Sequence, residues 1–332
     1  MASVNQHGSW AVQCIWRQGG STDRPATKAM KTPWGTLPIA DAHVHLLSRA
    51  FFEDLSTERT PEEMGRQLGW EIPSKDAAEL AGRWMQEMEK YDLKRLVLIG
   101  SFPGDENSVA GAVRTCPEKF VGYFMLNPTA EDALQRAKHA IENVGLRGIC
   151  LFPAMHKFSV SDDRLHPIYE LASGRAIVFV HMGVLSVGVR KKLGLPSLFD
   201  IRLSNPIALH PIALEFPRVN FVIPHFGAGY FREALMLGDL CPNVYLDTSS
   251  TNSWIRYVPG LNGLTDVFRR TLDVFSVQRI LFGTDSSFFP RGWNAQIFTE
   301  QVEALDRLGI SAADAAAIFG GNLERLIGSL ST

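Results

Sequence analysis

The apolar positions of the chain gather into eight short runs, separated by stretches in which apolar and polar residues alternate with helical spacing. The runs cover residues 37–46, 95–101, 120–126, 146–152, 176–181, 220–226, 244–250 and 279–285. Each is almost continuously hydrophobic, the pattern of strands covered on both faces. Between them, residues 77–91, 130–144, 230–240 and 312–326 place their apolar side chains three and four apart, which predicts amphipathic helices. Strands alternating with helices, with no shorter repeat, predict a parallel sheet closed into a (β/α)8 TIM barrel. A doubly wound sheet would need a glycine-rich phosphate turn after its first strand. That position instead holds His43 and His45.

Length and composition agree with one barrel domain. The chain has 332 residues, 45% of them hydrophobic and 20% charged, enough apolar surface for a large core. The predicted division is an irregular N-terminal arm, 1–36, and a barrel domain, 37–332. The arm holds Arg17, Arg24, Lys28 and Lys31 against a single acid, Asp23. It has neither the amphipathic period of a transit peptide nor the apolar centre of a secretory signal, and a start at Met30 is the other reading. A net charge of −2 gives no general attraction to nucleic acid or anionic membrane. No apolar run reaches the roughly 18 residues of a membrane helix, so a soluble, cytoplasmic protein acting on a small molecule is expected. Cys14, Cys116, Cys150 and Cys241 are widely spaced with no CxxC, which argues against a disulfide framework or a cysteine zinc ribbon.

Candidate chemistry sits where the apolar runs end. In Asp41-Ala42-His43-Val44-His45 the two imidazoles are one residue apart, and strand alternation aims them the same way. Three later runs lead into His181, His225 and Asp285. A barrel brings the carboxyl ends of its strands to one rim, so these five side chains can meet, and imidazole with carboxylate is a donor set for a divalent ion. Two long connections, 48–76 and 182–216, are expected to wall the pocket there.

These motifs resemble the amidohydrolase superfamily, in the branch of aminocarboxymuconate semialdehyde decarboxylase and the proteins called amidohydrolase 2. The resemblance runs from residue 37 to 328. It is carried by Asp41-Ala42-His43-Val44-His45, Val180-His181-Met182-Gly183, Pro224-His225-Phe226-Gly227 and Leu281-Phe282-Gly283-Thr284-Asp285. Supporting stretches are Phe216-Pro217, Pro242-Asn243-Val244-Tyr245-Leu246-Asp247 and Gly320-Gly321-Asn322-Leu323-Glu324-Arg325-Leu326. It implies His43, His45, His181 and Asp285 as metal ligands, with Asp285 and His225 as the catalytic pair. Many relatives carry Gly-Ile-Lys-Leu-His-Pro on strand four; here the stretch reads Gly148-Ile149-Cys150-Leu151-Phe152-Pro153. With no lysine to bridge two ions, one divalent ion is expected, zinc first, with manganese, iron or cobalt as alternatives. Relatives are often dimers, so a homodimer is also an expectation.

The resemblance implies hydrolysis, with activated water attacking an amide, lactone or ester carbon. Non-oxidative decarboxylation of a small carboxylic acid is the alternative, which an arginine of the strand-one loop (Arg49, Arg59 or Arg66) would strengthen. A catalytically silent binding barrel is the third reading. Arg202, Asn205 and His156 are candidate substrate contacts, an arginine being suited to a bidentate carboxylate. Asp41 is expected to support the metal-binding histidines. Ser249, Ser250 and Trp254 are expected near the pocket, His166 is expected to open a helix and His210 to lie at the surface or a helix start, and His7 and His139 have no chemical context.

Overall fold

The computed structural model describes residues 30–331 apart from 57 and 186, so most of the arm, including His7 and Cys14, lies outside the described residues. Eight parallel strands follow one another around a single sheet: β1 (Ala40–Leu46), β2 (Arg95–Gly100), β3 (Phe120–Met125), β4 (Gly148–Leu151), β5 (Ile177–Val180), β6 (Phe221–Ile223), β7 (Val244–Asp247) and β8 (Ile280–Leu281). The segment after β8 returns to β1. Phe282 accepts from the Ala42 amide, Asp285 donates to the His43 carbonyl, and Ser286 accepts from the His45 amide at 2.7 Å. The sheet thereby closes into a TIM barrel.

Side-chain alternation separates two cores. Ala40, Ala42, Val97, Ile99, Tyr123, Cys150, Phe179, Val222 and Leu281 fill the barrel interior. Their strand neighbours, among them Leu96, Leu98, Phe124, Val178 and Leu246, pack outward under the helices. In β1 the phase changes, because the pairing with β2 slips by one residue between Asp41 and Val44. Ala42 is an interior residue and Val44 an outward one, so His43 follows Ala42 on the inner side. Simple alternation from Ala40 would have turned His43 away; the bulge is what aims it inward.

The helix at Ala77–Tyr91 spans the predicted residues, its start capped by Asp76 accepting from the Ala78 amide at 2.8 Å. Two other predicted helices are interrupted by a wider turn, at His139–Asn143 and Ala317–Gly321. Residues 30–36 pack on the barrel: Trp34 donates to the Ile310 carbonyl and lies 6.2 Å from Phe319. Cys150 and Cys241 are buried free thiols. No described helix is long and apolar enough to cross a membrane.

Candidate metal centre

The strand ends converge as their order requires. His43, His45 and His181 bring ring nitrogens within 4.8 Å of one another. His43 Nε2 and His45 Nε2 are 3.2 Å apart. Donors about 2.0–2.1 Å from a tetrahedral ion stand about 3.3 Å from each other, so this pair has the spacing of two ligands on one cation. Asp285 Oδ1 lies 3.5 Å from His45 Nε2 and 3.8 Å from His43 Nε2. Asp285 holds this place with a positive φ of 57°, a conformation that costs energy in a non-glycine residue.

The protonation pattern suits cation binding. Burial of His181, followed by the neighbouring His43, holds its pKa well below the ordinary histidine value. His181 Nδ1 lies 3.4 Å from the Cys150 sulfur, and its buried Nε2 has no hydrogen-bond partner. A buried, unpartnered ring nitrogen is costly in a finished site and is what a metal-binding position leaves before the ion is counted. Burial and His43 likewise lower His45, to about 4. Burial, the largest influence, pushes His43 down, but the carboxylates of Asp247, Asp285 and Asp41 together outweigh it and raise the net pKa. Asp247 is itself lowered, because His43 overcomes the upward push of burial.

Asp247 is the site residue that sequence reasoning missed, quoted only as the end of a strand motif. Its Oδ2 accepts from His43 Nδ1 at 3.0 Å, which fixes the proton on Nδ1 and directs the Nε2 lone pair to His45 and Asp285. Ser249 Oγ stands 2.9 Å from His43 Nδ1 and 2.8 Å from His225 Nδ1, linking the two rings. The signal was available: a carboxylate ending an apolar run beside three runs that end in histidine. Asp41 acts from below. It accepts from the His43 and Thr284 amides and from Trp293 Nε1, tying β1 to the segment after β8. Burial raises its pKa to about 6.

Other expected contacts lie elsewhere. Arg202 is solvent-exposed and paired with Asp200 through Nε and Nη2. Asn205 accepts from the Ile207 amide at 3.0 Å and so caps its own short helix. Among the described residues no hydrogen bond or ion pair joins either to the imidazoles. His156 is one ring removed: Phe152 stacks on His181 at 3.9 Å, and His156 is 6.4 Å beyond Phe152. Two of the three strand-one loop arginines are engaged elsewhere, Arg49 with Glu53 and Glu62, and Arg59 with the Leu193 carbonyl. Trp254 is buried against Phe226 and Phe231, not against the imidazoles.

Comparison with known proteins agrees with this architecture. An amidohydrolase family model matches residues 40–328. An uncharacterized TIM-barrel protein from Bordetella bronchiseptica superimposes with a TM-score of 0.60 at 23% identity, over 88% of this chain and 98% of that one. A zinc-bound amidohydrolase from Burkholderia multivorans gives a TM-score of 0.57 at 16% identity, over 88% and 99% of the respective chains. Protein fluG of Emericella nidulans is 34% identical over 93 residues, which span 27% of this chain and only 10% of that protein. The eight-stranded barrel, the histidine and carboxylate residues on its rim and the family match over residues 40–328 place this chain in the amidohydrolase family.

Proposed function

We propose that the protein is a metal-dependent hydrolase of small molecules, with His43, His45, His181 and Asp285 holding one divalent ion, zinc first. The observation that carries this is the inward, partner-free Nε2 of His181, grouped with two imidazoles whose nitrogens are 3.2 Å apart. When bound, the ion would polarise a substrate carbonyl and lower the pKa of water to about 7. Asp285, its side chain 37% exposed, would take the proton of the attacking water and return it to the leaving nitrogen or oxygen. His225, with Nδ1 held by Ser249, would use its other ring nitrogen to hydrogen-bond the substrate oxygen. Asp247 would keep His43 in the ligating tautomer. Cys150 at the strand-four position supports a single ion: it is wholly buried on the Nδ1 side of His181, and its thiol pKa is raised well above the ordinary value by burial.

Decarboxylation is the second reading, supported by the same single-ion donor set. Of the strand-one loop arginines that would strengthen it, Arg49 and Arg59 are held by partners of their own, which leaves Arg66 as the candidate. Metal analysis beside turnover tests the proposal. Wild-type protein is expected to hold one zinc per chain and to hydrolyse some member of a lactone, amide and ester panel, while His181→Ala loses the zinc. Full zinc content in that variant would refute the ligand assignment. Release of carbon dioxide from an acid panel, without hydrolysis, would transfer the assignment to the second reading.

A further inference from the structure

Exposure at the candidate centre is uneven: His43 and His181 are buried, whereas His45, His225 and Asp285 retain exposure, and the ends of β1 and β8 form one open edge over which a substrate can enter. Arg291 stands at that edge, six residues after Asp285. Its Nη2 donates to the Asp285 carbonyl at 3.3 Å and to Ser287 Oγ at 3.2 Å, and its guanidinium lies 4.4 Å from the Phe288 ring centre. Phe288 stacks on Trp70 of the strand-one loop at 4.0 Å. Lys192, from the strand-five loop, places Nζ 5.4 Å from the Trp70 ring centre and 5.7 Å from that of Phe288.

Three loops thus bring two cations to one aromatic pair beside the open edge. Among the described residues neither cation has a carboxylate within 4.0 Å, unlike Arg49 and Arg202 nearby on the same loops. A guanidinium has five N–H donors in a planar fork, and the recorded bonds use one nitrogen of Arg291. The fork is held in place by stacking and by two neutral acceptors, with donors left over. That is a prepared site for a planar anion, because a bidentate arginine–carboxylate pair is both directional and charge-assisted.

We propose that Arg291, assisted by Lys192, clamps a carboxylate of the substrate, so that the enzyme acts on small organic acids whose acid group lies at the β8 edge and whose reacting carbon lies over the imidazoles. This rests on the imidazole cluster being the active site, and the test separates the two ideas. Titration calorimetry is run on zinc-loaded and on EDTA-stripped protein, with malonate, benzoate and 2-hydroxybenzoate, each beside its amide. At least one acid is expected to bind about tenfold or more tightly than its amide. Arg291→Ala should remove that preference by weakening the acid and not the amide; Arg291→Lys should recover part of it, and Lys192→Ala should cost about threefold. The clamp is refuted if no acid is preferred, if the preference survives Arg291→Ala, or if that variant weakens acid and amide alike, as a merely structural arginine would. A preference that depends on Arg291 in protein that takes up no zinc would uphold the clamp and refute the metal reading. Stoichiometric zinc without any preference would do the reverse.

Discussion

Asp247 and His156 show how differently two buried groups are treated by their surroundings. Asp247 has a partner in His43, which lowers its pKa against the upward push of burial, while Asp247 in turn raises His43. His156 has none: its Nδ1 is buried without a hydrogen bond, and burial lowers its pKa to about 4. A histidine titrating lower in the folded than in the unfolded chain lends stability above about pH 6.5, and that stability is lost as the pH falls toward about 4. Between pH 7.5 and pH 5 the wild type should therefore lose on the order of 1–2 kcal/mol more than His156→Phe, read from urea unfolding. Equal acid sensitivity of the two proteins would mean that His156 is not held neutral. The candidate ligand histidines were legible in the sequence because each ends an apolar run. Arg202 and Asn205 have local partners that the sequence did not disclose. Asp200 and Asn205 each accept from the amide two residues on, a short-range habit of Asx side chains, and Asp200 also captures the Arg202 guanidinium. Arg291 could not have been found from sequence, because its role depends on which loops meet.

Elements that looked uniform in sequence are interrupted where packing demands it. The helical pattern of residues 312–326 is continuous, yet the wider turn at Ala317–Gly321 sets Gly320 so close to the Pro38 carbonyl that a Cβ would collide. Asn322 next to it donates to the Val277 and Ile280 carbonyls, anchoring the start of β8. Asn243 donates to three carbonyls, those of Ala213, Phe216 and Val219, at the entrance to β7. Two family motifs are thus explained by backbone satisfaction rather than chemistry. Gly183, just past His181, does a similar service: it is at φ 89°, and a Cβ there would strike the Gly227 and Ala228 carbonyls. Gly183→Ala is expected to destabilise by about 3 kcal/mol or more, measured by chemical unfolding. Unchanged stability would show that the ends of β5 and β6 can part without penalty.

At the scale of the molecule, the closed barrel gathers donors that the sequence disperses over more than two hundred positions, and ligand binding should feed back on the whole fold. An ion that binds only the native state adds RT ln(1 + [L]/Kd), about 2.7 kcal/mol at a hundred times Kd. Raising free zinc is therefore expected to raise the melting temperature of the wild type, and adding EDTA to lower it, with His181→Ala indifferent to both. A wild type that melts at the same temperature in zinc and in EDTA would remove the metal from the account. The barrel was readable in advance because its strands are short, apolar and evenly interleaved with helices. The loop roof was not, since the contacts between 49–72 and 187–195, including Phe52, Met64, Val189 and Leu193, join segments with no mutual signal in the chain.

The seam between β1 and the segment after β8 has a consequence for synthesis. The His43 carbonyl is capped by the Asp285 amide, so the same stretch that completes the wall also delivers the last acidic donor. A nascent polypeptide still missing that stretch has its histidines but no finished cup to hold them. If the proposed ion is held there, its donor set is complete only once the final strand has arrived, and a barrel caught ajar at this joint would grip it less well.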